Sequence, residues 1–220
     1  MSLFNVSADA RRAFEILKNG GIGILPMDVG YSLIGGSSES LNRIFATKKR
    51  DKKKLNAMLG NFDLHEELHI VSDRSKEIIS AICIDYDLPL GLIAPCKTDH
   101  PLLKSVNAET LQRSTLNNTL LMLINAGEFH KEITSLSLSE GHLLFGSSAN
   151  LSLTGTRFKV EDMQSAIKDI ADVIVDYGLM KYHFYGQSST LLNIETMEIY
   201  RYGVCYENIA DILNRHFSIE

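Results

Sequence analysis

Ile22-Gly23-Ile24-Leu25-Pro26-Met27-Asp28-Val29-Gly30-Tyr31 is the stretch that decides the fold of this chain. Ile22, Ile24 and Leu25 follow Gly21 as a β-branched and apolar run, the pattern of a buried strand. Pro26 has no N–H to give a ladder, so the strand ends near it and the next residues are exposed. Gly35-Gly36 breaks the chain again, and Ser38 is placed to cap a helix with Leu41, Ile44 and Phe45 on one face. That helix delivers Lys48-Lys49-Arg50 at its C-terminus, where cations complement the helix dipole. From Arg43 to Lys54 there are seven basic residues and one acid, Asp51. A patch of that density suits phosphate, and it equally suits an ordinary solvated surface.

Outward from this stretch, strands and helices interleave. Ser7 is placed to cap a first helix with Ala10, Ala13, Phe14 and Leu17 as its stripe. Ala57-Met58-Leu59 reads as a second strand, and Asp73 opens a helix through Ile82. Leu88 to Ala94 is a strand, and Thr119 to Ile124 is another, apolar throughout as a strand buried on both faces is. A helix near 127–136 leads to the run Leu143-Leu144-Phe145, which ends at Gly146-Ser147-Ser148-Ala149-Asn150. Val160, Met163, Ile167 and Ile170 set a helical period over 160–171, followed by a strand at Val173-Ile174-Val175. Ser189 to Asn193 and Met197 to Tyr202 form a hairpin, and a last helix starts near Glu207. This alternation predicts an α/β fold with a mixed, mostly buried sheet in one domain over residues 1–220.

The 220 residues carry a net charge of −5, which argues against indiscriminate nucleic-acid binding. No apolar run approaches the roughly 20 residues of a membrane span, and Met1-Ser2-Leu3-Phe4 lacks the regions of a signal peptide. Cys83, Cys96 and Cys205 are odd in number and far apart, which fits a reducing cytoplasm rather than a disulfide framework. His65-Glu66-Glu67-Leu68-His69 matches H-E-x-x-H, yet it sits in a short polar stretch with no third ligand marked downstream. It is expected to be an exposed connecting turn. No Walker A loop, G-x-G-x-x-G or G-x-S-x-G is present.

Two pairs carry more. In extended backbone, residues i and i+2 point the same way, so Lys48 and Arg50 reach one site if the helix ends before them. Ser148 and Asn150 do the same at a strand end. Two cations, a hydroxyl and an amide are what a polyphosphate needs, whereas a salt-bridged surface and a strand-to-loop turn are the plainer readings.

The order of these motifs resembles the YrdC/YciO family, whose members include threonylcarbamoyl-adenylate synthases. Pro26 to Leu33 is similar to the family's P-T-D-x-x-Y-G-L, and Lys48-Lys49-Arg50 to its K-x-R. Ser147 to Ser152 is similar to S-[ST]-S-A-N-x-S-G. Asp176-x-Gly178, Ser189-Thr190 and Arg201-x-Gly203 follow in the expected order, and Gly30 before Tyr31 resembles the YciO branch. The resemblance implies a twisted, mixed YrdC-like β-sheet with flanking helices and a wide, basic concave cavity. It implies a nucleotidyltransferase-type reaction in which L-threonine, bicarbonate and ATP with Mg²⁺ give threonylcarbamoyl-AMP and pyrophosphate, for threonylcarbamoyladenosine modification of tRNA. Lys48 and Arg50 are then the catalytic cations. Lys48, Arg50, Ser148, Asn150, Ser189 and Arg201 hold the nucleotide, and no protein metal site is implied.

The departures gather at the amino-acid end. Met27 and Val29 replace threonines, Leu123 stands in place of an arginine, Gly91 in place of a threonine, and Leu153 in place of a glycine. Met27, Val29, Tyr31 and Leu123 are therefore the expected substrate pocket, and it is more apolar than the family pattern. Leucine cannot imitate the two-point contact of a guanidinium with a carboxylate. An arginine from elsewhere, such as Arg113 or Arg157, is the residue that would restore it. The alternative to a synthase is a non-catalytic YrdC-domain protein that binds nucleotide or double-stranded RNA.

Overall fold

The computed structural model describes residues 3–49 and 55–219. Helix α1 (Val6–Lys18) begins at Asn5, whose side chain accepts from the Ala8 N–H, two residues before the expected Ser7. Strand β1 (Ile22–Leu25) stops at Pro26 and returns as β2 (Ser32–Gly35), which the Gly35-Gly36 break concealed in the sequence. Helix α2 (Ser38–Lys48) is capped by Ser37, not Ser38, through a reciprocal box with Ser40. Strand β3 (Ala57–Leu59) leads to α3 (Phe62–Leu68) and α4 (Asp73–Ser80). Ser72 rather than Asp73 caps α4, which widens into a π-helical turn over Ala81–Asp85.

The second half runs β4 (Leu90–Pro95), α5 (Pro101–Lys104), α6 (Ala108–Gln112), β5 (Thr115–Leu116) and β6 (Thr119–Ile124). It continues through α7 (Glu128–Ser139), β7 (Phe145–Ser148), α8 (Ser165–Lys168) and β8 (Val173–Ile174). The hairpin β9 (Leu191–Asn193) and β10 (Ile199–Arg201) and helix α9 (Tyr206–Phe217) close the chain. Two expectations shift. The helical period over 160–171 is met by a turn from Val160 to Met163 plus the single turn α8. Strand β7 starts at Phe145 and takes in Gly146, Ser147 and Ser148, because pairing with β2 and β3 sets its length rather than apolarity.

The described strands form one mixed sheet in the order β10-β9-β4-β6-β3-β7-β2-β1-β8, with β5 paired to β6. Pairs β3/β6, β4/β9 and β1/β8 are parallel, and the remainder are antiparallel. Alternation along the strands gives the sheet two unlike faces. Ile24, Leu33, Met58 and Met122 share a core with apolar residues of α2, α3, α4 and α9. Leu25, Ile34, Leu59 and Leu123 share a second core with α1 and α7. Beyond α1 and α7 this second face is open, so Leu121 of β6 is half-buried rather than packed on both sides. No described helix is long and apolar enough to cross a membrane.

Tyr31 ties the sheet to the loop after β8. Its hydroxyl accepts from the Tyr177 N–H at 2.9 Å and lies 3.0 Å from both Asp176 Oδ1 and the Gly178 carbonyl, either of which takes its proton. The ring is fully buried. Tyr31→Phe leaves the Tyr177 N–H and the Asp176 carboxylate short of a partner, at a cost of about 1–3 kcal/mol. Urea unfolding of the variant should show a lowered midpoint with an unchanged slope. An unshifted midpoint would remove this tie from the account of the fold.

Candidate functional site

A cavity of 120 Å³ lies on the open face of the sheet. Its floor is apolar, formed by Ile34 of β2, Leu59 of β3, Leu121 and Leu123 of β6, and Leu191 of β9. Hydroxyls stand at two ends: Ser32 and Ser148 face each other across the β2/β7 pairing, and Ser188 and Ser189 lie opposite with Arg201 of β10. Arg201 is the one charged residue among the described lining residues, so the basic character expected of the concavity rests, within them, on a single guanidinium.

The expected nucleotide residues fall into two clusters. Lys48 is the last residue of α2, 2% exposed, and its ammonium donates to the Ser148 carbonyl. The helix therefore does not end before Lys48, and Lys49 follows with φ 47°, so the extended Lys48/Arg50 geometry is not formed at Lys48. Arg50 lies outside the described residues. The Ser148 hydroxyl donates to Asn150 Oδ1, and the buried Asn150 amide donates to the Leu151 carbonyl. Across the cavity, the Arg201 guanidinium donates to the Ser189 carbonyl at 2.9 Å and to its hydroxyl at 3.2 Å.

The expected substrate pocket separates. Leu123 lines the cavity floor, but Met27 and Val29 do not line it. They sit in the turn after β1, 1% exposed each, packed in the second core with Leu123. Gly30 at φ 110° turns the chain here, so Met27 and Val29 share no strand face. Tyr31 is directed into the first core and to Asp176, away from the cavity. Asp28, in the same turn, has its carboxyl pushed up by burial, and Lys181 at 3.6 Å offsets part of that. Arg113 does not supply the missing cation: it pairs with Glu109 at 2.8 Å, bonds Asn42, and stacks over Phe45. Arg157 is not among the lining residues, and its carbonyl accepts from the Tyr31 N–H.

Sequence reasoning missed Ser32, Ile34 and Ser188. The first two needed β2 to be seen, and Ser188 had only its place beside Ser189. Gly91 has a packing cause: a Cβ there would meet the Leu191 side-chain tip and, at 3.0 Å, the Thr190 carbonyl, so the close β4/β9 pairing favours a bare backbone.

His65 and His69 are corrected outright. They are buried at α3 and its C-cap, 0% and 3% exposed, not in an exposed turn. His69 Nε2 is 3.2 Å from the Leu120 carbonyl, which only accepts, so this nitrogen carries the proton and Nδ1 does not. His65 Nδ1, 3.0 Å from His69 Nδ1, is then the donor of that pair. Such an arrangement is a core hydrogen bond. Among the described residues no group of three or more His, Cys, Asp or Glu is placed to hold a metal ion.

An α/β protein with a mixed sheet, one face sealed by helices and the other a concavity with hydroxyl-lined ends, has the YrdC-like fold. The chain belongs to the Sua5/YciO/YrdC family, whose model, described as telomere recombination, matches residues 15–203. Among solved structures, smu.1377c of Streptococcus mutans UA159 superposes with a TM-score of 0.80 at 20% identity, covering 95% of this chain and 92% of its own. YciO of E. coli gives 0.67 at 17% identity, covering 90% of each chain. Sua5 of P. abyssi, solved with L-threonine, gives 0.65 at 17% identity, covering 85% of this chain and 51% of that one. No curated protein sequence matches.

The buried imidazoles make acid stability testable. Burial holds His65 and His69 well below the usual imidazole value and lowers His130 to about 4. The unfolded chain takes up these protons near pH 6.5 while the folded chain refuses them. Stability is therefore full above about pH 6.5 and falls as pH drops towards about 4, by roughly 1.4 kcal/mol per unit for each histidine. Urea midpoints measured from about pH 7 down to about pH 5 should fall steeply, and His130→Gln should flatten the slope. A level profile would refute neutral burial.

Proposed function

We propose that the concave face binds ATP as its magnesium complex and supports a synthase reaction of the threonylcarbamoyl-adenylate type, with an amine substrate whose recognition has changed at Leu123. The observation that carries this is the pairing of two polar ends across one apolar floor: Ser32 and Ser148 at one, with Lys48 and Asn150 buried behind Ser148, and Ser188, Ser189 and Arg201 at the other. Such an arrangement suits a nucleotide whose phosphates meet hydroxyls and a guanidinium while its less polar parts lie on the floor.

In this reading an amine and bicarbonate form a carbamate with loss of water. A carbamate oxygen then bonds to the α-phosphorus, the bond to the β-phosphate bridge breaks, and pyrophosphate leaves with the electron pair. No covalent bond to the protein is made, so the side chains position the reactants and balance charge. Arg201 and the serine hydroxyls hold phosphate oxygens, and the buried Lys48 ammonium fixes the end of β7 and adds positive potential. The described lining carries no carboxylate, so magnesium would be held by the nucleotide's own phosphates. P. abyssi Sua5 was solved with L-threonine, which supports an amino acid as the amine. Transfer of the product to tRNA is the downstream use this reading carries.

Leu123 favours a second reading, a nucleotide- or double-stranded-RNA-binding protein without synthase activity, because an apolar floor gives a carboxylate no partner. One paired measurement separates them: calorimetry with MgATP, and pyrophosphate release with bicarbonate and each amino acid in turn. Release with threonine or another amino acid supports the synthase. ATP binding without release supports the binding protein.

Two variants sharpen the assignment. Arg201→Ala should weaken ATP binding by about tenfold or more, the worth of a charge-assisted hydrogen bond to phosphate of about 1.5–3 kcal/mol. An unchanged dissociation constant would take Arg201 out of the site. Leu123→Arg should raise threonine-dependent pyrophosphate release, because it returns a two-point carboxylate contact to the floor. No gain in a folded variant would show that the floor does not meet the carboxylate.

A further inference from the structure

A second cavity of about 330 Å³ opens where β6 runs out, between the first turns of α7, the start of α3 and the π-helical turn. It is separate from the concave face: Leu123 lines that one, whereas the next residue, Ile124, lines this one from the opposite side of the strand. The wide backbone turn over Ala81–Asp85 sets Cys83 and Ile84 along one wall, and Phe62 adds an aromatic face. π-Turns of this kind are frequent at functional sites. Asn125, at φ 55°, fixes the geometry by donating to the Cys83 carbonyl at 3.1 Å and to Asp87 Oδ1 at 2.9 Å.

The charges around this cavity are of both signs. Asp63 and Asp87 stand on the α3 and π-turn side, and Lys131 stands on α7. None of the three belongs to an ion pair among the described residues. Opposite charges held apart over an apolar pocket are the complement of a zwitterion with an apolar body. His130, 1% exposed, lines the inner end; its Nδ1 accepts from the Ala126 N–H at 3.4 Å, and the Leu123 carbonyl is a backbone partner of the ring. The volume is that of a small-molecule site.

We infer that this cavity binds a free α-amino acid with an apolar side chain, its ammonium group at Asp63 and Asp87, its carboxylate towards Lys131, and its side chain on Phe62, Ile84 and Ile124. The inference stands without the reading of the concave face. Because Ile124 and Leu123 are adjacent on β6, occupancy here bears directly on the strand that floors the other cavity.

The test is a titration of the isotopically labelled full chain with L-leucine, followed by amide shifts and by calorimetry, with isoamylamine (no carboxylate) and isocaproate (no ammonium) as partners. L-leucine should bind in the millimolar range or tighter, and either truncated compound should bind about tenfold more weakly. Shifts should centre on Ile84, Asn125 and Lys131. Lys131→Glu, an exposed change that leaves the core intact, should weaken L-leucine by about tenfold and leave isoamylamine unweakened. Three results would overturn the inference: no binding of L-leucine, binding indifferent to Lys131→Glu, or shifts centred on Ser148 and Arg201.

Discussion

The Lys48 ammonium, buried at the C-terminus of α2, is the charge around which the open face is arranged. A buried cation is tolerated only where oxygen atoms and dipoles meet it. Here it lies at the negative end of its own helix and donates to the Ser148 carbonyl. The Lys48 carbonyl in turn accepts from the Ser152 N–H at 3.3 Å, and Ser148 holds Asn150. One ammonium therefore fixes the end of α2, the end of β7 and the loop beyond it. Mobility in any one would strip the charge of its partner, so the three are ordered together.

The cavity is set by the alternation of the strands rather than by its loops. Each strand that sends Leu33, Met58 or Met122 into the helix-covered core must send its neighbour to the other face. Those neighbours are Ser32 and Ile34, Ala57 and Leu59, Leu121 and Leu123, all lining the concavity. The floor is thus rigid because its other side is packed, and its apolar character follows residue by residue from the strand sequences. Hydroxyls enter only at strand ends, where β7 runs into Ser147-Ser148 and β9 is preceded by Ser188-Ser189.

This logic explains what the sequence made legible. Ile22–Leu25, Thr119–Ile124 and the Ile209/Ile212/Leu213 stripe were readable because local pattern and tertiary burial agree there. Strand β2 was hidden because its four residues follow a turn and end on the first of two glycines, too short for period-2 alternation to register. Its identity comes from pairing with β1 and β7, a non-local fact. The caps slipped by a residue or two, since Asn5, Ser37 and Ser72 compete with equally suitable neighbours and only backbone dihedrals choose. The histidines misled because charged Glu66 and Glu67 between them face solvent while the i, i+4 pair faces inward. Met27, Val29 and Tyr31 were grouped with Leu123 through the family pattern, and the Gly30 turn parts them from the cavity that Leu123 lines. Leu153 takes φ 69° with a 91% exposed side chain, a backbone a glycine would suit better, and no contact explains the leucine.

The balance between charge and hydroxyl at the cavity also separates two kinds of recognition. Nucleic-acid backbones are held mainly by arrays of cations that release counterions, so affinity collapses with salt. The described lining has Arg201 and a set of serine hydroxyls, on a chain of net charge −5. Hydroxyl and guanidinium contacts to one nucleotide are short-ranged and partly enclosed, and screening over a Debye length of about 8–10 Å touches them little. A site built this way draws its selectivity from geometry at the strand ends, which the Lys48 and Arg201 hydrogen bonds to the Ser148 and Ser189 carbonyls hold in place.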